Sequence, residues 1–318
     1  MSVFEPFEAF GDIEIIAERL LDADAAIRRL AVIELAETAS PEALPHLIGA
    51  AGDASGDVRL QAAIALAEFD GAGAAGGLAR LVVDENPAVA QAAADGLAEL
   101  KRPEAGGSLL PLLDHANPFV RAAAFRGLKA LRLQDALGPA LFALRDADTS
   151  VRVQALGTVA YLKLESTIPS LIAATRDENV EVRAAGVNAL TFTTQPAAAE
   201  AVAAALGDAN WQVRAAAAES LGRIGHGSAV EALGKALSDE YWQVQQKSLA
   251  ALGKLKANAA LPRIAALLES HVPTLRKEAA AALGEIGNPR AREALAAHSD
   301  DPDPDVRKTV RWALTRLG

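Results

Sequence analysis

There is no cysteine anywhere in the 318 residues. Its absence excludes disulfides, cysteine-ligated zinc, thiolate-held iron–sulfur clusters and a cysteine nucleophile together. Aromatic residues are scarce, at 4% of the chain, and the long β-branched runs that strands favour are missing. The Ala- and Leu-rich remainder therefore reads as helical. No apolar run approaches the roughly 18 residues that cross a membrane. Positive charge is also in deficit, with a formal net charge of −10. Phosphate backbones and anionic bilayers recruit basic surfaces, so neither nucleic acid nor membrane is expected as a partner. The first residues, Met1-Ser2-Val3-Phe4-Glu5-Pro6-Phe7-Glu8, carry acids where a secretory signal carries bases. The expectation is a cytoplasmic protein.

What the chain does have is a period. An apolar slot recurs every 31 residues, at Ile27, Val58, Val89, Val120, Val151, Val182, Val213, Val244, Leu275 and Val306, with no insertion between copies. Such self-similarity marks a repeat array, which grows along one axis and needs no single compact core. Three residues before the slot stand Asp24, Ser55, Asn86, Asn117, Asp148, Asn179, Asn210 and Asp303. These side chains accept hydrogen bonds from the free N–H groups of a starting helix. The next position holds Pro87, Pro118, Pro273 and Pro304, and proline suits the first helical residue. Both signals start a helix, the second of each repeat, at the same point.

The core face of that helix follows from its periodicity. Four residues after the slot come small side chains, from Ala31 and Ala62 through Gly186 and Ser248 to Ala279. Eight residues after it come large ones, from Leu35 and Leu66 through Val159 to Leu283 and Leu314. Small residues let helices approach and large ones fill the space between them. Gly225 and Gly287 stand where a left-handed cap ends the helix. The first helix of each repeat varies more. Ser40-Pro41 and Asn288-Pro289 start two of them, and Leu44, Leu47 and Ile48 give one apolar stripe. Phe4, Phe7 and Phe10 stand ready to cover the first hairpin, and in the last repeat Arg311 replaces an apolar core residue. The Gly-rich stretch Asp70–Gly77, followed by Gly106-Gly107, predicts a poor helix and the most mobile part of the chain.

The frame Asp-x-x-x-x-Val-Arg, small and Leu slots, and an ending such as Leu221-Gly222-Arg223-Ile224-Gly225 or Leu283-Gly284-Glu285-Ile286-Gly287 together resemble the HEAT-like repeats. The short bacterial subtype first described in phycobilisome lyases is the most similar. The resemblance implies an all-α fold, a right-handed α-solenoid (superhelix) of ten two-helix repeats over residues 10–318, behind a capping segment at residues 1–9. It also implies that second helices line the concave face and that a ladder of acids and bases ties neighbouring repeats. The acids are Asp22, Asp53, Asp84, Asp146, Asp177, Asp208, Asp239 and Asp301. The bases are Arg28, Arg59, Arg121, Arg152, Arg183, Arg214, Arg276 and Arg307. Ala90 and Gln245 replace a base and His115 replaces an acid, so interruptions are expected there.

Catalytic readings fare poorly. A residue present in every repeat serves the repeat, whereas a site should be particular to one or two. Gly71-x-Gly73-x-x-Gly76 matches a dinucleotide fingerprint by letter, but helices flank it where a strand is required. The five histidines, His46, His115, His226, His271 and His298, form no pair at helical ligand spacing and none precedes a glutamate. That argues against metal sites, including the His-Glu pairs of HEAT-like di-iron hydroxylases. No catalytic residue, metal or cofactor is expected.

The informative residues break the repeat. Ten positions after the slot stand Glu37, Glu68 and Glu99, then Tyr161 and Phe192, then Arg223 and Lys254. Trp211 and its echo Trp242 open adjacent second helices, which predicts neighbouring indoles on one rim about 10 Å apart. Leu30, Ile33 and Ile64 also fall on positions that point away from the core. The resulting expectation is a non-enzymatic, protein-binding scaffold or adaptor that uses Tyr161, Phe192, Trp211, Arg223, Trp242 and Lys254, its partner proteins unnamed. Two alternatives rest on family analogy: an accessory lyase or cofactor-maturation factor, and a HEAT-like DNA-repair glycosylase, which the acidic balance disfavours.

Overall fold

The computed structural model describes residues 13–317. The expected capping segment, with Phe4, Phe7 and Phe10, lies outside the described residues. Every regular element among the described residues is helical: 20 α-helices and 12 short 3-10 turns. The chain divides into two compact units, residues 1–162 and 163–318. Each unit is a solenoid stack of the same helical hairpin.

In the first unit the second helices are Ala25–Glu37, Gly56–Leu66, Pro87–Glu99, Pro118–Leu131 and Thr149–Leu162. In the second they are Val180–Ala189, Trp211–Ile224, Trp242–Lys254, Pro273–Ile286 and Pro304–Arg316. They begin where the cap residues predict. The side chains of Asp24, Asn86, Asn117, Asn179, Asn210 and Asp303 each accept from the N–H two residues on. Asp148 takes the N–H groups of Ser150 and Val151. Such caps are worth about 1 kcal/mol each. Ser55 differs: its backbone has the extended cap conformation, but its hydroxyl makes no cap bond.

The core runs along each stack. Every apolar slot from Val58 to Val306 is buried, as is every large slot from Leu35 to Leu283. Burying one such side chain contributes about 1.5–3 kcal/mol. Gly186, in a small slot, shows why size matters: a Cβ there would come within 2.9 Å of the backbone of Ala174 and Thr175. At the far end Leu314 is half-buried and Arg311 exposed, so the last hairpin presents a polar side chain where inner repeats present apolar ones.

Most first helices begin as a 3-10 turn and continue as a short α-helix, as in Pro41–Ala43 and Leu44–Ala50, whereas Ala72–Leu81 and Pro196–Ala204 are α-helical from their start. The Gly-rich stretch corrects a sequence expectation. Residues Ala72–Leu81 form a continuous helix of 10 residues. Its glycines answer to packing: a Cβ on Gly77 would sit 2.7 Å from Leu66 Cδ1, and one on Gly73 3.2 Å from Leu44 Cδ2. Tertiary contact overrides the weak propensity. Asp70 further ties this hairpin to the next, its Oδ1 accepting from the N–H groups of Gly71, Lys101 and Arg102.

The left-handed cap is more widely used than its glycines suggest. Gly225 and Gly287 have φ of 75° and 71°. The corresponding position twelve residues after the apolar slot is also left-handed at Ala39, Arg132, Lys163 and Lys256, where φ lies between 49° and 54°. Side chains there cost energy that glycine does not.

Candidate functional site: the ladder and the aromatic rim

Six rungs of the ladder share one geometry. Arg28, Arg59, Arg121, Arg183, Arg214 and Arg276 lie in the first turn of a second helix. Each grips the aspartate 25 residues ahead through Nε and Nη2, on Asp53, Asp84, Asp146, Asp208, Asp239 and Asp301 in turn. Their Nη1 atoms donate to the carbonyl six residues back, such as Asp208 O at 2.9 Å from Arg214. The aspartate in turn accepts the N–H two residues on, as Asp208 does from Asn210 at 2.8 Å. One guanidinium thus closes the loop of its own hairpin and fastens the next.

The hydrogen bond from arginine holds Asp53, Asp84, Asp208 and Asp301 below the usual carboxylate range. At Asp146 and Asp239 burial pushes the carboxyl up, but arginine and backbone donors together outweigh it, and the net shift is downward. The remaining ladder residues lie at the same stations. Asp22 accepts from Asp24 N–H, and Arg307 donates to the carbonyls of Asp301 and Pro302. Arg152 donates to the carbonyls of Asp146 and Ala147, and Asp177 accepts from Asn179 N–H.

The interrupted rungs have a pattern that single positions hide. Ala90 and His115 are the two ends of one rung, and Gln245 and Ser270 are the two ends of another. Both partners are replaced together, so no buried charge is stranded. The substitutes keep the local bonds. His115 Nδ1 accepts from Asn117 N–H at 3.1 Å, Gln245 Nε2 donates to Asp239 O at 2.5 Å, and Ser270 Oγ accepts from Val272 N–H at 3.2 Å. Of these four departures, Ser270 is the one not anticipated from the sequence.

The second constellation is aromatic. Trp211 is half-buried and stacks on Tyr241, with ring centroids 5.5 Å apart and planes 12° from parallel. The ring that stacks on Trp211 thus belongs to Tyr241, the residue before Trp242. Tyr241 occupies the cap slot of its helix and makes no cap bond, which leaves its ring to lie against the preceding repeat. The guanidinium of Arg214 sits 5.6 Å from the Tyr241 centroid. Tyr241 and Trp242 are 38% and 42% exposed, so two large rings meet solvent beside the stack.

Of the other candidates, Phe192 ends the 3-10 turn Leu190–Phe192 and is half-buried. Arg223 is exposed but held by Glu219, which also binds Lys247 at 2.7 Å. Lys254 is exposed. In the first unit Tyr161 is exposed yet engaged by two cations, Lys129 Nζ at 4.9 Å and Arg132 at 5.9 Å from its centroid. Trp312, on the second-helix face of the last repeat, drew no notice from the sequence. Its ring lies against the backbone of Gly284, where a Cβ would approach it to 2.6 Å. Among the described residues no three His, Asp or Glu side chains gather as metal ligands.

Comparison with known proteins accords with this architecture. The family model described as HEAT repeats matches residues 13–85, 74–141, 137–222, 199–272 and 230–315, and the chain belongs to that family. An engineered protein of known crystal structure is similar over 96% of this chain and 98% of its own, at 21% identity and a TM-score of 0.50. Kap95p, solved with RanGDP, is similar at 14% identity and a TM-score of 0.59 over 96% of this chain. Importin beta is similar at 15% identity and a TM-score of 0.58, again over 96%. The chain spans 48% and 55% of those two proteins. At these identities the likeness is one of fold. No curated protein sequence matches the chain. The protein is a HEAT-repeat solenoid scaffold, and among the described residues no helix is long and apolar enough to cross a membrane.

Proposed function

We propose that the chain is a non-enzymatic, cytoplasmic adaptor that binds other proteins through side chains departing from its repeat. The supporting observation is the exposed aromatic rim of the second unit. Trp211 and Trp242 open adjacent helices at a slot where most other repeats hold proline or a small residue, and Tyr241 takes the cap slot that most repeats give to Asp, Asn or Ser. Exposed aromatics beside charge are the residues on which protein interfaces concentrate their energy. The already stacked Trp211 and Tyr241 lose little freedom on binding. Phe192, Arg223 and Lys254 of the same unit, and Tyr161 of the first, are the further contact candidates. Kap95p, whose fold is similar, binds RanGDP, which supports a binding role for solenoids of this kind.

The test is affinity capture from the source organism's lysate with the native protein and with Tyr241→Ala/Trp242→Ala. Phe142→Ala, which removes an exposed ring from the first unit, serves as the control. Loss of a captured protein from the rim variant alone is the expected result. Equal capture by all three, with circular dichroism unchanged, would remove the rim from the proposal.

A further inference from the structure

The second-helix face of the first unit carries a row of acids in an unfavourable place. Glu37 and Glu99 are the last residues of their helices, and Glu68 lies just past the end of Gly56–Leu66. The C-terminal end of a helix carries partial negative charge, so a carboxylate there is repelled. In the second unit the equivalent position holds Arg223, Lys254 and Arg316, the sign the helix end prefers, and an acid in one repeat, Glu285. Three consecutive repeats of the first unit take the unfavourable sign. All three glutamates are exposed and none is in an ion pair among the described residues. Nearby acids are neutralised: Glu34 holds Arg19 at 2.5 Å and Asp95 holds Arg126 at 2.9 Å.

An apolar strip accompanies the row. Leu30, seven residues before Glu37, is 46% exposed, and Ile64, four residues before Glu68, is 48% exposed. These spacings place apolar and acidic side chains on one helix face, about 6–10 Å apart along the helix axis. That separation matches the width of one α-helix, about 10 Å. Neighbouring second helices pack about 8–10 Å apart, and seven residues of a helix rise about 10 Å. The strip ends at the Asp95–Arg126 pair, whose cation closes the acidic run.

We infer that this face docks an amphipathic basic helix of a partner protein, lying across the first three second helices. Basic residues at every seventh position meet Glu37, Glu68 and Glu99. Apolar residues on the adjoining edge cover Leu30 and Ile64. This surface is independent of the aromatic rim and stands or falls separately from it.

The probe is a synthetic peptide of about 20 residues, long enough for ~30 Å of helix, with Lys at every seventh position and Leu on the adjoining face. A scrambled peptide of identical composition is the comparison. Binding is measured by fluorescence anisotropy to the full chain and to two charge-matched variants. The first is Glu37→Gln/Glu68→Gln/Glu99→Gln. The second is Glu42→Gln/Glu104→Gln/Asp135→Asn, which neutralises three exposed acids on the first-helix turns. The expected result is about tenfold weaker binding for the first variant, a change under about twofold for the second, and weaker binding in added salt. Leu30→Ser/Ile64→Ser weakens binding at low and high salt alike. The first variant should also melt above the native protein, because it removes a repelled charge from three helix ends. Equal weakening by both triples, equal binding of the scrambled peptide, or no effect of either triple overturns the inference.

Discussion

The rung between Arg183 and Asp208 offers a direct measure of how one hairpin holds the next. Arg183 donates to Asp208 at 2.7 and 2.9 Å and to the carbonyls of Asp177 and Glu178 at 3.0 and 3.1 Å. The side chains are 18% and 11% exposed, so water reaches the pair and softens a fully buried cost. Arg183→Gln alone strands a carboxylate, and Asp208→Ser alone strands a guanidinium. Each should lower stability by about 2 kcal/mol, below the 3–5 typical of fully buried pairs. The double variant rebuilds a rung that the chain already contains, Gln245 opposite Ser270. It should cost about 2 kcal/mol in total, which gives a coupling of about 2 kcal/mol. Urea unfolding followed by far-ultraviolet circular dichroism measures all four proteins. Hydrogen exchange of the residues around the rung checks that the loss is local, as nearest-neighbour coupling in a repeat array requires. A double variant that loses the sum of the two single losses would show that the rung carries no pairwise energy.

Three further expectations follow from the same geometry. The ladder aspartates titrate below their unfolded values, so their stabilisation is complete above the ordinary carboxylate range and is lost as pH falls through their folded values. The urea midpoint should therefore fall on acidification below about pH 4, and Arg183→Gln/Asp208→Ser should flatten that dependence. Ser248 is fully buried and its hydroxyl has no hydrogen-bond partner among the described residues. Ser248→Ala should raise stability by about 1 kcal/mol, and a lower urea midpoint would contradict the packing. Lys256 holds φ of 49° at a helix end. Lys256→Gly should be neutral or stabilising by up to about 1 kcal/mol in thermal melts, whereas Lys256→Val should destabilise.

Much of the fold was legible because a repeat states its rules ten times. Val213, Asn210 and Leu221 act within their own hairpin, through helix period, capping and side-chain size. Those properties are local, so spacing alone reveals them. The Gly-rich stretch at residues 70–77 was misjudged because propensity is also local. Only the packed structure shows Leu66 and Leu44 occupying the space that a larger side chain would take. The candidate site was less legible for the same reason. Trp211 and Trp242 were visible as departures, but the stacking partner of Trp211 depended on where a failed cap residue turns its ring.

By itself the sequence determined the period, the helix starts, the core face and the stations of the ladder, since each depends on residues within one repeat or at a constant offset. Tertiary structure alone decided which departures belong together. It joined Ala90 to His115 and Gln245 to Ser270 as opposite ends of two rungs, set Tyr241 against Trp211, and left Glu37, Glu68 and Glu99 exposed at helix ends. Such pairings are made across the stack, where side-chain direction and the approach of neighbouring helices, rather than distance along the chain, determine what meets.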